Sequence, residues 1–261
     1  MWAIVTGGSS GLGKAIATHL AKDGYDVVIV SRSAEKLQSA ADGIKAAYPG
    51  REVVCFPLDL SLSDAPRRLF DWAADRGIHP TVLVNDAGMY IYKPATAISE
   101  SERESLVNLN INTLSGLCSL FGEMMEKDAR QEVSAGVKKT PRHIVNIASY
   151  SVYMPIWGFS MYAGSKAFVR TFSRCIGKEL RPSGVYVTAV APAGIDTGLM
   201  KLRPTVRKLA SRLGFLAGAD TVARIGLRAA KHRRCYCIPL WYNVLFIPFL
   251  WMFQPLFKKV L

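Results

Sequence analysis

Tyr162 and Lys166, in the stretch MYAGSK, stand four residues apart. On a helix, positions i and i+4 share a face, so both side chains can point into one cleft. A phenol titrating near an unperturbed pKa of about 10 is a poor acid-base catalyst at neutral pH, and a neighbouring ammonium favours its ionised form. Lys166 is therefore the expected tuner of Tyr162. The same spacing also describes ordinary surface pairs, so the neighbouring motifs must decide. The stretch TGGSSGLGKAI, from Thr6 to Ile16, lies between an apolar run and a helical pattern. Gly7, Gly11 and Gly13 allow a tight turn, close approach of a pyrophosphate and close helix packing, with the helix N-terminus aimed at the phosphates. Ser9, Ser10 and Leu12 belong to the same expected cofactor turn. After the second apolar run, where an acid would bind the ribose of NAD, the chain carries Ser31, Arg32 and Ser33. A guanidinium suits a 2′-phosphate and two hydroxyls add hydrogen bonds, which favours NADP (NADPH) over NAD.

The elements that must position these groups are legible as an alternation. AIVTG, DVVIVS, EVVCFPLDL, TVLVNDAG, RHIVNIAS and VYVTAVAP read as six strands, separated by segments long enough for crossover helices. Tyr236 to Ile238 reads as a seventh. Near-continuous apolar strands with helical crossovers predict a single α/β domain, a Rossmann-type doubly wound parallel sheet covered on both faces. We place that domain over 1–240, with a substrate lid around 198–220 and an aromatic, apolar C-terminal tail over 241–261. The stretch KDARQEVSAGVKKTP, from Lys127, reads as a polar surface excursion.

The glycine turn, Asn85-Asp86-Ala87-Gly88 and Tyr162-x3-Lys166 together resemble the short-chain dehydrogenase/reductase family, over Trp2 to about Thr197. Within it, YAGSKAFVRTFSRCIGKELRPSGV is similar to the reductases of long-chain 3-oxoacyl thioesters. TGGSSGLGK and NDAGM are similar to the 3-ketosphinganine reductases. Two positions depart from the family pattern: Asp86 replaces the second Asn of NNAG, and Ala193 stands where glycine is usual after Pro192. The resemblance implies a catalytic set of Asn112, Ser149, Tyr162 and Lys166, with Asn110 the alternative register for the asparagine. Tyr162 would protonate the carbonyl oxygen as hydride reaches the carbon, and Ser149 would donate a hydrogen bond to that oxygen. Lys166 and Tyr162 would also contact the nicotinamide end of the cofactor, and Asn112 would hold a relay water. The resemblance further assigns Asp59 and Leu60 to the adenine side, Asn85, Ala87 and Gly88 to the central ribose region, and Ile195 and Thr197 to the carboxamide. It implies a dimer or tetramer formed through helices around Glu100 to Lys127 and Ser160 to Leu180.

Composition narrows the partners. Five cysteines match no zinc spacing and four scattered histidines form no ligand pair, so no metal is expected and a reducing, cytoplasmic setting is. The opening MWAIVTGG runs directly into a strand and leaves no room for a secretory signal. The formal charge of +13 is concentrated late: ten Lys or Arg between Lys201 and Arg234 face one acid, Asp220. No recognition-helix or stacking-platform motif accompanies it, so nucleic acid ranks below an acidic headgroup or thioester carrier. In the tail, Asn243, Pro248, Gln254 and Pro255 interrupt the roughly 20 apolar residues a membrane span needs. Its aromatics beside Lys258 and Lys259 suit a membrane interface on the cytoplasmic face, the alternatives being a subunit contact or packing on the domain itself. The expected activity is NADPH-dependent reduction of a lipid-like ketone, either 3-ketosphinganine or a long-chain 3-oxoacyl thioester. The competing readings are a soluble 3-oxoacyl-carrier-protein reductase, a hydroxysteroid dehydrogenase and a non-catalytic NADP-binding sensor or scaffold.

Overall fold

The computed structural model describes residues 1–154, 157–195, 216–240, 242–245 and 247. The apolar runs form β1 (Trp2–Thr6), β2 (Asp26–Ser31), β3 (Val53–Pro57), β4 (Pro80–Asn85), β5 (Arg142–Ile147), β6 (Val185–Val190) and β9 (Tyr236–Cys237). These seven strands make one sheet in the order β3-β2-β1-β4-β5-β6-β9. Every pairing in it is parallel. Two short segments, β7 (Gly194–Ile195) and β8 (Leu216–Ala217), pair separately.

Alternation along each strand divides the core in two. Ile4, Val28, Val30, Leu83 and Ile144 pack under α3 (Ala65–Ala74), α5 (Leu114–Ser134) and α6 (Ser160–Leu180). Val5, Val27, Ile29, Val84 and Val145 pack under α1 (Gly11–Lys22), α2 (Ala34–Ala47) and α7 (Ala219–Lys231). Helices on both faces explain why the strands carry almost no polar alternation. β1 lies between β2 and β4, so the strand order reverses there and opens a crevice beyond the carboxyl ends of the strands, where ligands bind in open α/β sheets.

The helix expected from Glu100 to Lys127 has a more particular form. It begins as α4 (Glu100–Val107), where Ser99 and Glu102 form a reciprocal capping box. It then passes through a π-helical turn, Asn108–Thr113, into α5. α5 continues to Ser134, so the first part of the expected surface excursion is helical: Ala129 is buried, and Lys127 pairs with Glu123 at 2.7 Å. The expected lid falls mostly on residues outside those described; its last part forms β8 and the start of α7.

Candidate active site

The carboxyl ends of β1, β4 and β5 meet the start of α6 around one buried cation. Lys166 is 5% exposed, and its Nζ donates to the Ile147 carbonyl at 2.8 Å, at the end of β5. The same Nζ lies 5.9 Å from the centroid of the Tyr162 ring, as one helical turn on a shared face requires. Ser149, 9% exposed and two residues beyond β5, hydrogen-bonds the Tyr162 phenol, and its Oγ accepts from the Ser151 amide at 3.1 Å. The structure therefore brings Ser149, Tyr162 and Lys166 together.

Burial decides the electrostatics. Desolvation raises the Tyr162 pKa; the Ser149 hydrogen bond opposes this and the Asp86 charge adds to it. The expected lowering of Tyr162 by Lys166 is absent among the effects that shift it, and the phenol stands in its protonated, acid form. Desolvation lowers Lys166 to about 8, against the attraction of Asp86, so it remains an ammonium at neutral pH.

Asn112 is not in this cluster. Its side chain is exposed, and its Nδ2 donates to Asn108 Oδ1 at 2.8 Å. The asparagine in the site is Asn110, 1% exposed, which donates to the Met89 carbonyl at 2.9 Å and Ser165 Oγ at 3.0 Å while accepting from the Met89 amide at 2.9 Å. Ser165 in turn donates to the Tyr162 carbonyl at 2.8 Å. A Cβ at Gly88 would lie 3.3 Å from Asn110 Oδ1 and 3.4 Å from Lys166 Nζ, which places both side chains against the same loop residue.

The glycine-rich turn is a close-fitting cradle. Gly7 and Gly11 have φ of 72° and 54°, a region glycine enters without strain. A Cβ at Gly13 would approach Gly7 O to 2.4 Å and Asp86 Oδ2 to 2.7 Å. Asp86 accepts a hydrogen bond from the Gly13 amide. Beneath the turn, Thr6 Oγ1 donates to the Val84 carbonyl at 3.2 Å and accepts from the amides of Asp86 at 3.1 Å and Ala87 at 3.2 Å. Ser9, Ser10 and Gly11 lie at the accessible rim, whereas the Leu12 side chain packs into the core, leaving only its backbone for a ligand.

Beyond β2, Arg32 is exposed and Ser31 Oγ is buried with no hydrogen-bond partner. Ser33 Oγ caps α2, accepting from the Lys36 amide at 3.2 Å. Asp59 lies near enough to Arg32 for that charge to help lower its pKa, after the larger effect of its hydrogen bond from Ser61 Oγ, at 2.7 Å. The Leu60 carbonyl accepts from Thr113 Oγ1 at 2.7 Å. Asn85 turns its side chain into the sheet layer: Nδ2 donates to Asn146 Oδ1 at 2.8 Å and to Cys118 Sγ at 3.3 Å, so its side chain braces the strands. Asn146 extends that network to Ser173 Oγ at 2.9 Å. Ile195 lies in β7, opposite Ala217, and Thr197 lies outside the described residues.

Aromatic rings border Tyr162 in a contiguous group. Phe159 and Tyr90 have centroids 5.6 and 6.2 Å from its ring, Tyr92 stands 5.3 Å from Phe159, and Trp157 stands 6.0 Å from Tyr92. The Lys93 amide donates to the Gly158 carbonyl at 3.0 Å and joins the two loops that carry these rings. Among the described residues, no group of His, Cys, Asp and Glu has the arrangement of a metal site.

This fold agrees with the comparisons to known proteins. The short chain dehydrogenase profile matches residues 1–207, and the chain belongs to that family of oxidoreductases. It is 33% identical over 224 residues to the very-long-chain 3-oxoacyl-CoA reductase of Rattus norvegicus, covering 85% of this chain and 68% of that protein. A short-chain dehydrogenase from Sphingobium yanoikuyae in complex with NADPH superposes with a TM-score of 0.75 at 26% identity, over 98% of this chain and 95% of that one. A metagenomic short-chain oxidoreductase in complex with NADP gives 0.72 at 27% identity, over 92% and 96%.

Proposed function

We propose that the protein uses NADPH to reduce the ketone of a long-chain 3-oxoacyl thioester to the 3-hydroxyacyl thioester. The observation that carries this reading is the Ser149–Tyr162 hydrogen bond set beside buried Lys166, at the mouth of the glycine turn. The residues present fit NADPH. The turn has no room for side chains at Gly13, Ser31 Oγ lacks a partner, and exposed Arg32 supplies the charge a 2′-phosphate requires. Ser31, Arg32 and Asp59 would hold the adenosine end, and the Gly7 to Gly13 backbone the pyrophosphate. Ala87, Gly88, Tyr162 and Lys166 would meet the nicotinamide riboside. The reduced nicotinamide, when bound, supplies the hydride.

The protein's part is the oxygen. Ser149 donates to the carbonyl oxygen as negative charge develops there, and Tyr162 delivers its phenolic proton to that oxygen. The raised Tyr162 pKa keeps this proton in place through neutral pH. Lys166 stabilises the tyrosinate that remains, and Asn110 orients the loop at Met89 through both of that residue's backbone groups. The aromatic group from Tyr90 to Trp157 suits an apolar acyl chain, and a net charge of +13 suits an anionic thioester carrier. The names of the relatives favour the acyl thioester over 3-ketosphinganine, a steroid or a non-catalytic role. Among the described residues no helix is long and apolar enough to cross a membrane. We assign the contact with lipid to the tail, as an interfacial element.

The test is NADPH consumption with a 3-oxoacyl-CoA of long chain, beside 3-ketosphinganine and a 3-oxosteroid. The acyl thioester should give the highest kcat/KM. Tyr162→Phe should bind NADPH nearly as well and lose turnover by at least about a hundredfold, the usual contribution of a positioned acid. Substantial turnover by that variant would sink the role of Tyr162.

A further inference from the structure

Asp86 is a half-buried carboxyl that the reaction above does not use. It stands between the cofactor turn and the catalytic lysine. One side accepts the Gly13 amide hydrogen, and its Oδ2 lies 2.7 Å and 3.0 Å from the positions a Cβ would take on Gly13 and Gly7. Its own amide, with that of Ala87, is held by Thr6 Oγ1. On the other side its charge acts on Lys166 and Tyr162, both on α6. Among the described residues these are the titratable groups that face it. The glycine turn and β1 contribute uncharged groups: the Gly13 amide and Thr6.

We infer that Asp86 is a proton-linked positioning residue, which shapes the glycine turn through the Gly13 amide and couples binding of the cofactor's pyrophosphate to uptake of one proton. The inference rests on the NADPH reading of the site. A carboxylate lodged under a turn that receives a pyrophosphate is a like charge, and a like charge favours the neutral acid. In the free protein desolvation already raises Asp86 to about 7, with Lys166 and the Gly13 amide holding it down. Pyrophosphate at the turn raises it further. The sign follows: a group whose pKa is higher in the complex strengthens binding below its free pKa, and that contribution is lost as pH rises towards the bound one. NADPH affinity should therefore weaken above about pH 7, at a slope approaching tenfold per pH unit for one proton.

Lys166 also titrates in this region, so the experiment uses a background that lacks Lys166. NADPH dissociation constants are measured by fluorescence titration across neutral and mildly alkaline pH for the wild type, Lys166→Met and the double variant Lys166→Met/Asp86→Asn. Asn keeps an oxygen to accept the Gly13 amide and cannot ionise, so the turn is retained. Lys166→Met should keep the dependence with its midpoint moved upward, because the attraction that favoured the carboxylate is gone. The double variant should bind with a dissociation constant flat over the same range. Equal slopes in the two variants, or a slope already abolished in Lys166→Met, would overturn the inference and leave the NADPH site standing. Failure of the wild type to bind NADPH at any pH would overturn the cofactor reading and this inference with it.

Discussion

Gly13→Ala separates the needs of the cofactor turn from those of the helix it begins. Gly13 is the third residue of α1, where alanine is intrinsically favoured over glycine by about 1 kcal/mol. The surrounding geometry opposes that gain. The new Cβ would stand 2.4 Å from the Gly7 carbonyl oxygen and 2.7 Å from both Gly7 C and Asp86 Oδ2, and two of these are backbone atoms that cannot rotate away. Relief requires the turn to open. Overpacking of this kind costs about 1–3 kcal/mol, and the propensity gain offsets part of it in the folded protein. The net change in stability is then at most about 2 kcal/mol, a loss of a few degrees in Tm. Cofactor binding has no such offset, because it needs the turn closed. At 1.4 kcal/mol per tenfold, the NADPH dissociation constant should rise about 10- to 100-fold. Gly43→Ala in α2 is the control: its Cβ would meet nothing nearer than Lys14 Nζ at 4.0 Å, so it should stabilise by about 0.4–1 kcal/mol and leave binding alone. Thermal melts and NADPH fluorescence titrations on the three proteins provide both readouts. Wild-type affinity in Gly13→Ala would refute the account of the turn as a cradle with no spare volume.

Asn110→Ala should lower kcat at least about tenfold and cost about 1–3 kcal/mol in stability, since it leaves part-buried backbone groups of Met89 without their partner; exposed Asn112→Ala should do neither, and steady-state kinetics with melts would show the opposite order if the register were reversed. Arg32→Ala should weaken NADPH by roughly 10- to 100-fold, the worth of about 1.5–3 kcal/mol for charge-assisted contacts, and leave NADH nearly unchanged; equal losses by titration would contradict the 2′-phosphate role. Truncation after Ile247 should move the enzyme from anionic vesicles to the soluble fraction on sedimentation while sparing its activity on a short ketone. This end point keeps the docked part of the tail, where Tyr150 OH donates to the Asn243 carbonyl at 2.6 Å, and vesicle binding by the truncated protein would remove the interfacial role.

Tyr162, Lys166 and Ser149 were legible because their geometry is local. A strand end fixes Ser149, and an uninterrupted α6 fixes the four-residue relation of the other two. The asparagine was not. Between Asn108 and Thr113 the helix is π-helical, and each residue of register turns a side chain by about 100°, so a motif match does not fix which asparagine points into the site. No composition signal marks a π turn, though Asn110 was the competing register. The bracing role of the Asn85 side chain was not legible for a different reason. Its row across the sheet is Thr6, Asn85 and Asn146, and only the pairing register, a long-range property, shows that two asparagines face each other over Cys118. Ser33 carried a local signal that the cofactor reading passed over: a serine at the start of a helical pattern is an N-cap, and the hydroxyl accepts the Lys36 amide.

The loop after β4 is where these separate readings become one site. Thr6 holds its first amides, Asp86 reaches back to the Gly13 amide, Asn110 grips Met89 by both backbone groups, and Lys93 is tied to Gly158 across the aromatic rings. Each of these contacts uses a main-chain amide or carbonyl at one end, and Asp86 is the loop side chain that takes part. Gly88 lies in this loop against both Asn110 and Lys166, and a larger residue there would push on both side chains together. On the proposed reading, a change at Asp86 or Gly88 would reach cofactor binding through Gly13 and proton transfer through Lys166.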